Sequence, residues 1–87
     1  MNMIRLYGYS ECPYCNELEE LLKKGEVKYM YIDVTKKENE NECNKIFEIA
    51  GEETVPIVLV NKKVLVPDKS FKTISEAYEL VERFINE

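Results

Sequence analysis

The residues best suited to do chemistry are two cysteines separated by two residues, in the sequence Cys12-Pro13-Tyr14-Cys15. A pair at this spacing closes into a small disulfide ring without reorganising a domain, so it can cycle between dithiol and disulfide. The same spacing also forms half of a zinc knuckle. The pair therefore predicts either thiol–disulfide exchange or metal binding, and its surroundings must distinguish the two.

The elements around the pair predict that it lies at the start of a helix. Residues 3–7 alternate between apolar and polar side chains and run into Gly8, which is typical of a short strand. From Pro13 to Gly25 the apolar residues recur at helical spacing, and a proline at the first helical position has no backbone N–H to leave unbonded. Residues 27–34 are rich in Val, Ile and Tyr, so two parallel strands are expected to flank the helix in a βαβ unit.

Residues 35–51 predict a second helix. The sequence Thr35-Lys36-Lys37-Glu38 has the spacing of a capping box, and the helix is expected to end at Gly51. Cys43 falls on the apolar face of this helix. A small buried hydrophobe is favoured there over a redox or ligand role.

The last third of the chain predicts a hairpin and a final helix. Residues 56–60 and 64–66 are apolar runs that flank a short polar turn, as in an antiparallel hairpin. Thr73 and Glu76 have a second capping-box spacing, and a long apolar stripe follows them. The predicted order is β-α-β-α-β-β-α, an α/β fold in one domain of residues 1–87.

Composition and charge restrict the class of partner. The chain has 87 residues, enough for one small domain, and 17 acidic against 12 basic residues give a net charge of −5. This charge opposes attraction to nucleic acid and to anionic membranes, and the longest nearly apolar run, residues 55–60, is too short to cross a bilayer. No nucleic-acid or membrane partner is expected, and a monomer is the default expectation.

Cysteine usage and the N-terminal residues predict the compartment. Three cysteines cannot all pair within one chain, whereas a small secreted domain normally carries a larger, even number. Residues 1–5 lack the basic, apolar and small order of a secretory signal. Both observations predict the reducing cytoplasm. The sequence contains no histidine, which excludes a Cys–His hydrolase and His-assisted acid–base catalysis.

The two cysteines of the pair have different expected roles because they occupy different positions on the helix. Cys12 would lie at the helix N-terminus, where free backbone N–H groups and the positive end of the dipole favour a thiolate, so it is the expected nucleophile. Cys15 lies one turn further on the apolar face and is expected to be more buried and less acidic. It would attack a mixed disulfide formed at Cys12 and act as the resolving thiol. Glu11 opposes ionisation of Cys12, but a solvated carboxylate is screened.

The sequence Thr54-Val55-Pro56 admits two interpretations. A proline at the start of a strand is structurally ordinary because it has no ladder donor to lose. A cis peptide at Pro56 would instead turn the Val55 backbone outward beside the disulfide, as a docking edge for an extended substrate. Tyr9 and Tyr14 are similarly open: they either pack at the end of a strand or line a groove for a substrate chain.

Cys12-Pro13-Tyr14-Cys15 after a strand, Thr54-Val55-Pro56 further along, and the element order together resemble a dithiol glutaredoxin of the thioredoxin fold. The resemblance implies a four-stranded mixed sheet flanked by three helices, a cis proline at Pro56, and reduction of protein disulfides or glutathione mixed disulfides. It supports Cys12 as nucleophile and Cys15 as resolving thiol. It also implies that Tyr14 is a wall of the substrate groove and that Thr54 and Val55 pair with the peptide part of glutathione.

Other positions depart from the glutaredoxin pattern. Tyr9 stands where these proteins usually have a lysine, and residues 66–70, Val-Pro-Asp-Lys-Ser, replace the usual Gly-Gly and acidic pair that hold the γ-glutamyl end of glutathione. Pro67 also removes a backbone donor. No tightly bound cofactor is expected, and the reductant is either glutathione as a co-substrate or a thioredoxin reductase.

Two non-enzymatic alternatives stay open. The first is a metal-binding module: Cys12, Cys15 and Cys43 supply three thiolates, whereas a structural zinc site normally takes four Cys or His ligands. An iron–sulfur cluster bound through Cys12, as some glutaredoxins hold between two subunits, would need glutathione as a co-ligand. The second is a redox-inert adaptor, whose function would survive replacement of both cysteines of the pair.

Overall fold

The computed structural model describes residues 2–87, and Met1, which the predicted domain includes, lies outside the described residues. These residues form three α-helices and four strands in the predicted order, with one additional 3-10 turn. The elements are β1 Ile4–Gly8, α1 Pro13–Lys24, β2 Met30–Asp33, the 3-10 turn Lys37–Asn39, α2 Glu40–Ala50, β3 Ile57–Val60, β4 Lys63–Leu65 and α3 Ile74–Ile85.

The strands form one mixed sheet with the order β2-β1-β3-β4, which confirms the predicted sheet. β1 runs parallel to β2 and antiparallel to β3, and β3 pairs antiparallel with β4. At the end of β1, Gly8 is in register with Asp33, and Tyr7 is in register with both Ile32 and Ile57. Because neighbouring strands hold β1 on both sides, the point at which the chain leaves the sheet towards the cysteine pair is fixed.

Helices cover both faces of the sheet. α1 and α3 pack together on one face, where Leu18 and Leu22 of α1 join a cluster with Leu6 of β1 and Val81 of α3. α2 covers the other face through a second cluster of buried side chains, which are Tyr7, Ile32, Cys43, Ile46, Ala50, Ile57 and Val66. Burial of these apolar side chains stabilises the fold by about 25 cal/mol for each Å² removed from water. Cys43 is therefore part of the core, as its position on the apolar face of α2 indicates.

The predicted capping box at Thr35 and Glu38 is wrong. The backbone N–H and the hydroxyl of Thr35 both donate to Oδ1 of Asp33, at 2.8 and 2.6 Å, in the turn that follows β2. This carboxylate competes for the donors of Thr35 and holds the chain out of helical geometry. α2 begins at Glu40 instead, and Asn39 before it makes no side-chain cap.

Two strand boundaries also differ from the prediction. β2 is shorter than residues 27–34 because the Val27 N–H donates to the Leu22 carbonyl at 2.9 Å, which ties this residue to the end of α1. In the hairpin, β4 begins at Lys63, so the turn is Asn61-Lys62. Asn61 takes a φ of 57°, a left-handed conformation that asparagine tolerates better than most residues, which replaces the glycine usual in such turns.

The capping box of α3 is confirmed. The Glu76 N–H donates to Oγ1 of Thr73 at 3.1 Å, and the Thr73 N–H donates to Oε1 of Glu76 at 3.0 Å. The helix buries Ile74, Ala77 and Val81 against the sheet and α1. None of the helices in residues 2–87 is long and apolar enough to cross a membrane.

Candidate active site

Cys12 lies at the N-terminus of α1, as the sequence predicts. Its backbone is extended, its Sγ accepts the Cys15 N–H at 3.2 Å, and its carbonyl accepts the Asn16 N–H at 3.1 Å. Pro13 occupies the first helical position, where its missing N–H leaves no donor unbonded. The first turn of α1 contains no acidic residue. The Cys12 sulfur thus receives a backbone donor at the N-terminus of the helix, where the helix dipole is positive.

Cys15 is completely buried, whereas Cys12 exposes 4% of its surface. Burial, and then the hydrogen bond with Cys12, raise the pKa of the Cys15 thiol from 9.0 to about 12, although the backbone of Tyr9 acts in the opposite direction. Cys15 therefore remains a thiol at neutral pH. Both cysteines are buried, so Cys12 is more enclosed than the sequence indicates.

Gly8 makes the close packing of Cys15 on the sheet feasible. A Cβ on Gly8 would lie 2.7 Å from Sγ and 2.9 Å from Cβ of Cys15, and 3.3 Å from the hydroxyl of Tyr31. These distances are shorter than an ordinary contact between carbon atoms, so only glycine fits without a shift of its neighbours. The sequence pattern places Gly8 only at the end of a strand. A glycine at that place, next to a chemical motif, was the available signal for a close approach.

Tyr31 is a second residue that sequence reasoning missed. Its hydroxyl is buried and has no hydrogen-bond partner among residues 2–87. Burial and the neighbouring Cys15 raise the pKa of Tyr31 to about 12. The position of Tyr31 in β2 follows from the pattern of the strand, but nothing in that pattern indicates that its hydroxyl approaches the cysteine pair.

A groove of about 450 Å³ lies beside the start of α1. Tyr14, with 64% of its surface exposed, and Glu17 line it from α1, and residues 54–56 and 67–68 contribute from two loops. The remaining lining residues, from the end of the second loop and the start of α3, are Phe71, Lys72, Thr73 and Ile74. The groove is open and of mixed polarity, as suits an extended chain with both apolar and polar groups.

The predicted substrate residues fall into two groups. Tyr14, Thr54, Val55 and Pro56 all line the groove, and the peptide bond between Val55 and Pro56 is cis. Tyr9 is not among the lining residues and is half-buried, and its carbonyl accepts the Cys12 N–H at 3.1 Å in the turn before α1. The structure thus brings four of the five predicted residues together and places Tyr9 at the base of the cysteine turn.

The loop after β4 bonds to itself. Two N–H groups, of Lys69 and Ser70, donate to the Val66 carbonyl at 3.2 and 2.8 Å. The Asp68 N–H donates to the Phe71 carbonyl at 2.8 Å, and the Val66 N–H donates to the Ser70 hydroxyl at 2.9 Å. The backbone donors of residues 68–70 are therefore used inside the loop. Pro67 adds no donor.

Cys43 does not join the cysteine pair. It lies on α2, in the core cluster on the opposite face of the sheet from α1, and burial raises the pKa of its thiol. Within residues 2–87 no group of three or more Cys, Asp or Glu side chains is arranged to hold a metal ion. A site made of Cys12, Cys15 and Cys43 would require α1 and α2 to meet through the sheet.

The glutaredoxin family model matches residues 4–65, which include both cysteines and residues 54–56. A search of curated proteins finds no match.

Three solved structures show the same fold. A glutaredoxin from Archaeoglobus fulgidus has a TM-score of 0.73 and 24% identity, with 100% of this chain and 89% of that chain covered. A complex of buckwheat glutaredoxin with glutathione has a TM-score of 0.73 and 19% identity, with 98% and 78% covered. The thioredoxin-like protein BC3987 has a TM-score of 0.69 and 23% identity, with 90% and 97% covered.

One cysteine caps α1 and the other is buried in its first turn, and a groove lies beside them. The glutaredoxin family model matches residues 4–65. These observations lead to one assignment. The family implies thiol–disulfide oxidoreductase activity through a cysteine pair. The chain belongs to the glutaredoxin family.

Proposed function

We propose that this protein is a small dithiol–disulfide oxidoreductase that reduces protein disulfides or glutathione mixed disulfides. The observation that carries the proposal is the difference between the two sulfurs. Cys12 Sγ lies at the N-terminus of α1 and accepts a backbone N–H, whereas the buried thiol of Cys15 follows one turn later. One sulfur is thus prepared to attack, and the other is held protonated until it is needed.

The reaction takes place in two exchanges. The Cys12 thiolate attacks one sulfur of the substrate disulfide, that disulfide bond breaks, and the other sulfur leaves and takes up a proton. The Cys15 sulfur then attacks Cys12, which releases the second substrate sulfur as a thiol and leaves a Cys12–Cys15 disulfide. The substrate gains two electrons from the protein and two protons, of which one comes from solvent in the first exchange and one from the Cys15 thiol in the second. Tyr14, Val55 and Pro56 would hold the substrate chain in the groove during both exchanges.

A variant pair tests these roles. Cys15→Ser should accumulate a mixed disulfide at Cys12 after exposure to a substrate disulfide, because the second exchange is blocked. Cys12→Ser should form no adduct, and Cys43→Ser, which alters only the core under α2, is the matched control and should behave like the wild type. Mass spectrometry of the intact variants and of their peptides gives the answer. An adduct on Cys15 in place of Cys12 would reverse the assigned roles. A variant that carries both Cys12→Ser and Cys15→Ser and keeps its full biological function would support a redox-inert adaptor.

The electron donor has two candidates, glutathione and a thioredoxin reductase. The buckwheat relative was solved with glutathione, which supports the first. The loop after β4 supports the second, because Pro67 has no N–H and residues 68–70 donate within the loop, so no backbone donor there is free for a carboxylate. We expect glutathione alone to reduce the oxidised protein slowly.

Reduction of the Cys12–Cys15 disulfide by glutathione, and separately by thioredoxin reductase with its nicotinamide cofactor, distinguishes the donors. Efficient reduction by glutathione alone would contradict the proposal that a thioredoxin reductase is the electron donor. Anaerobic purification with metal analysis and an absorption spectrum tests the remaining alternative, a metal or iron–sulfur module. A colourless, metal-free protein contradicts it.

A further inference from the structure

The Tyr31 hydroxyl lies buried near the cysteine pair and makes no hydrogen bond within residues 2–87. It is the one buried side-chain N or O atom in residues 2–87 that lacks a hydrogen-bond partner. An unsatisfied buried hydroxyl is destabilising, and phenylalanine would fill the same space without it. The phenol therefore needs an explanation beyond packing.

The hydroxyl shares a small space with the resolving thiol. The Tyr31 hydroxyl oxygen lies 3.3 Å, and Cys15 Sγ 2.7 Å, from the point where Gly8 would carry a Cβ. Because Gly8 has no side chain, both atoms border the space that a Cβ would occupy there. Parallel pairing of β1 with β2 holds the arrangement, with Tyr31 in register with Leu6 and Gly8 in register with Asp33.

The charges nearby make a hydrogen-bond donor valuable at this place. The titratable groups that act on Tyr31 are Cys15, Glu19, Asp33 and Cys12, all thiols or carboxylates. Of these, Cys12 also acts on Cys15 and opposes a negative charge there, and the chain contains no histidine to offset it. Since burial raises the pKa of Tyr31 to about 12, the phenol keeps its proton at neutral pH and remains a donor.

We propose that the Tyr31 hydroxyl donates a hydrogen bond to the Cys15 sulfur as it becomes a thiolate, and thereby assists the release of substrate from Cys12. In this step the Cys12–substrate S–S bond breaks and the Cys12–Cys15 S–S bond forms. The proton of Cys15 ends on the substrate sulfur, which leaves as a thiol. Tyr31 gives up no proton and is unchanged at the end. The inference rests on the proposed function, which supplies the mixed disulfide.

Tyr31→Phe and a matched control, Tyr29→Phe, test the proposal. The Tyr29 hydroxyl donates to Oε2 of Glu19 at 2.7 Å, so the control removes a phenol that already has a partner. In a single turnover from a preformed mixed disulfide at Cys12, Tyr31→Phe should slow release of the substrate thiol about tenfold or more, as for the loss of a hydrogen bond to a charged group. Tyr29→Phe should change this rate by less than about twofold.

A second measurement does not depend on turnover. In a Cys12→Ser background, alkylation of Cys15 at mildly alkaline pH is proportional to its thiolate fraction. Tyr31→Phe should lower the alkylation rate about tenfold at each pH, and Tyr29→Phe should leave it unchanged. Urea unfolding should show Tyr31→Phe to be at least as stable as the wild type, because it loses only an unpaired hydroxyl.

The two measurements separate the inference from the proposed function. Unchanged alkylation of Cys15 in Tyr31→Phe overturns the role of Tyr31, whether or not the wild type reduces disulfides. A wild type that forms no mixed disulfide at Cys12 overturns the proposed function, and the alkylation rates still report on Tyr31. Slower release with unchanged alkylation also overturns the inference, because the effect would not act through the Cys15 thiolate.

Discussion

Gly8→Ala is expected to destabilise the protein and to displace Cys15. The added methyl carbon would lie 2.7 Å from Sγ and 2.9 Å from Cβ of Cys15, roughly 1 Å inside an ordinary contact distance. Gly8 cannot retreat, because β1 is paired on both sides and the Gly8 carbonyl accepts the Val34 N–H at 2.9 Å. The strain must therefore move Cys15 and the start of α1.

The magnitude follows from overpacking of a buried contact. Such changes cost about 1–3 kcal/mol, and the reduced freedom of alanine in the unfolded chain returns about 0.4–1 kcal/mol. We expect the free energy of unfolding to fall by about 1–2 kcal/mol, which in a domain of this size lowers Tm by about 5–15 °C. Displacement of Cys15 should also slow release of substrate from Cys12.

Gly25→Ala is the matched control. Its Cβ would approach the Tyr78 hydroxyl even more closely, but that oxygen is the far end of a half-buried side chain that can rotate away. Distance alone would make Gly25→Ala the costlier change, whereas the rigidity of the neighbour makes Gly8→Ala costlier. Urea unfolding of the reduced proteins, with equal m-values required, measures both costs.

A double-mutant cycle identifies the origin of the effect. Cys15→Ala removes the sulfur that meets the new methyl group, so Gly8→Ala should cost less in that background. A Gly8→Ala protein as stable as the wild type, or a cost that is the same with and without the Cys15 sulfur, would refute the reasoning.

Three further predictions concern the helix cap, the core and the groove. Thr73→Ala removes the α3 cap and should lower the free energy of unfolding by about 1 kcal/mol. Thr35→Ala should cost less because Thr35 caps no helix, and urea unfolding compares the two variants. Burial and the hydrogen bond to Glu42 raise the pKa of Tyr7 from 10.0 to about 12, so its contribution to stability is complete below pH 10 and is lost as pH rises through 12. The native state holds this proton more tightly than the unfolded state, so the free energy of unfolding falls as pH rises from 10 to 12. Unfolding measured between pH 10 and 12 should show a smaller fall for Tyr7→Phe than for the wild type. Tyr14→Ala should raise KM for a protein disulfide severalfold and leave alkylation of Cys12 unchanged; a parallel loss in both would contradict a role confined to substrate contact.

Much of the fold was predictable because local signals agreed with the final packing. Pro13 at the start and Gly25 at the end bound α1, and Thr73 with Glu76 opens α3, in each case through bonds between residues close in sequence. The predicted capping box at Thr35 is wrong because there the local hydrogen bonds do not agree with a helix start. A nearer acceptor, the Asp33 carboxylate, took both donors, and spacing alone does not reveal such a competitor.

The sequence by itself determined the cysteine pair, its place at the start of α1 and the element order, because these depend on position along one helix and on periodicity. Only the tertiary structure decided what surrounds the sulfurs. The space left by Gly8, the approach of Tyr31 to Cys15, and the absence of Tyr9 from the groove result from pairing between strands and packing of α1 on the sheet. Such contacts join residues distant in sequence, and no local pattern specifies them.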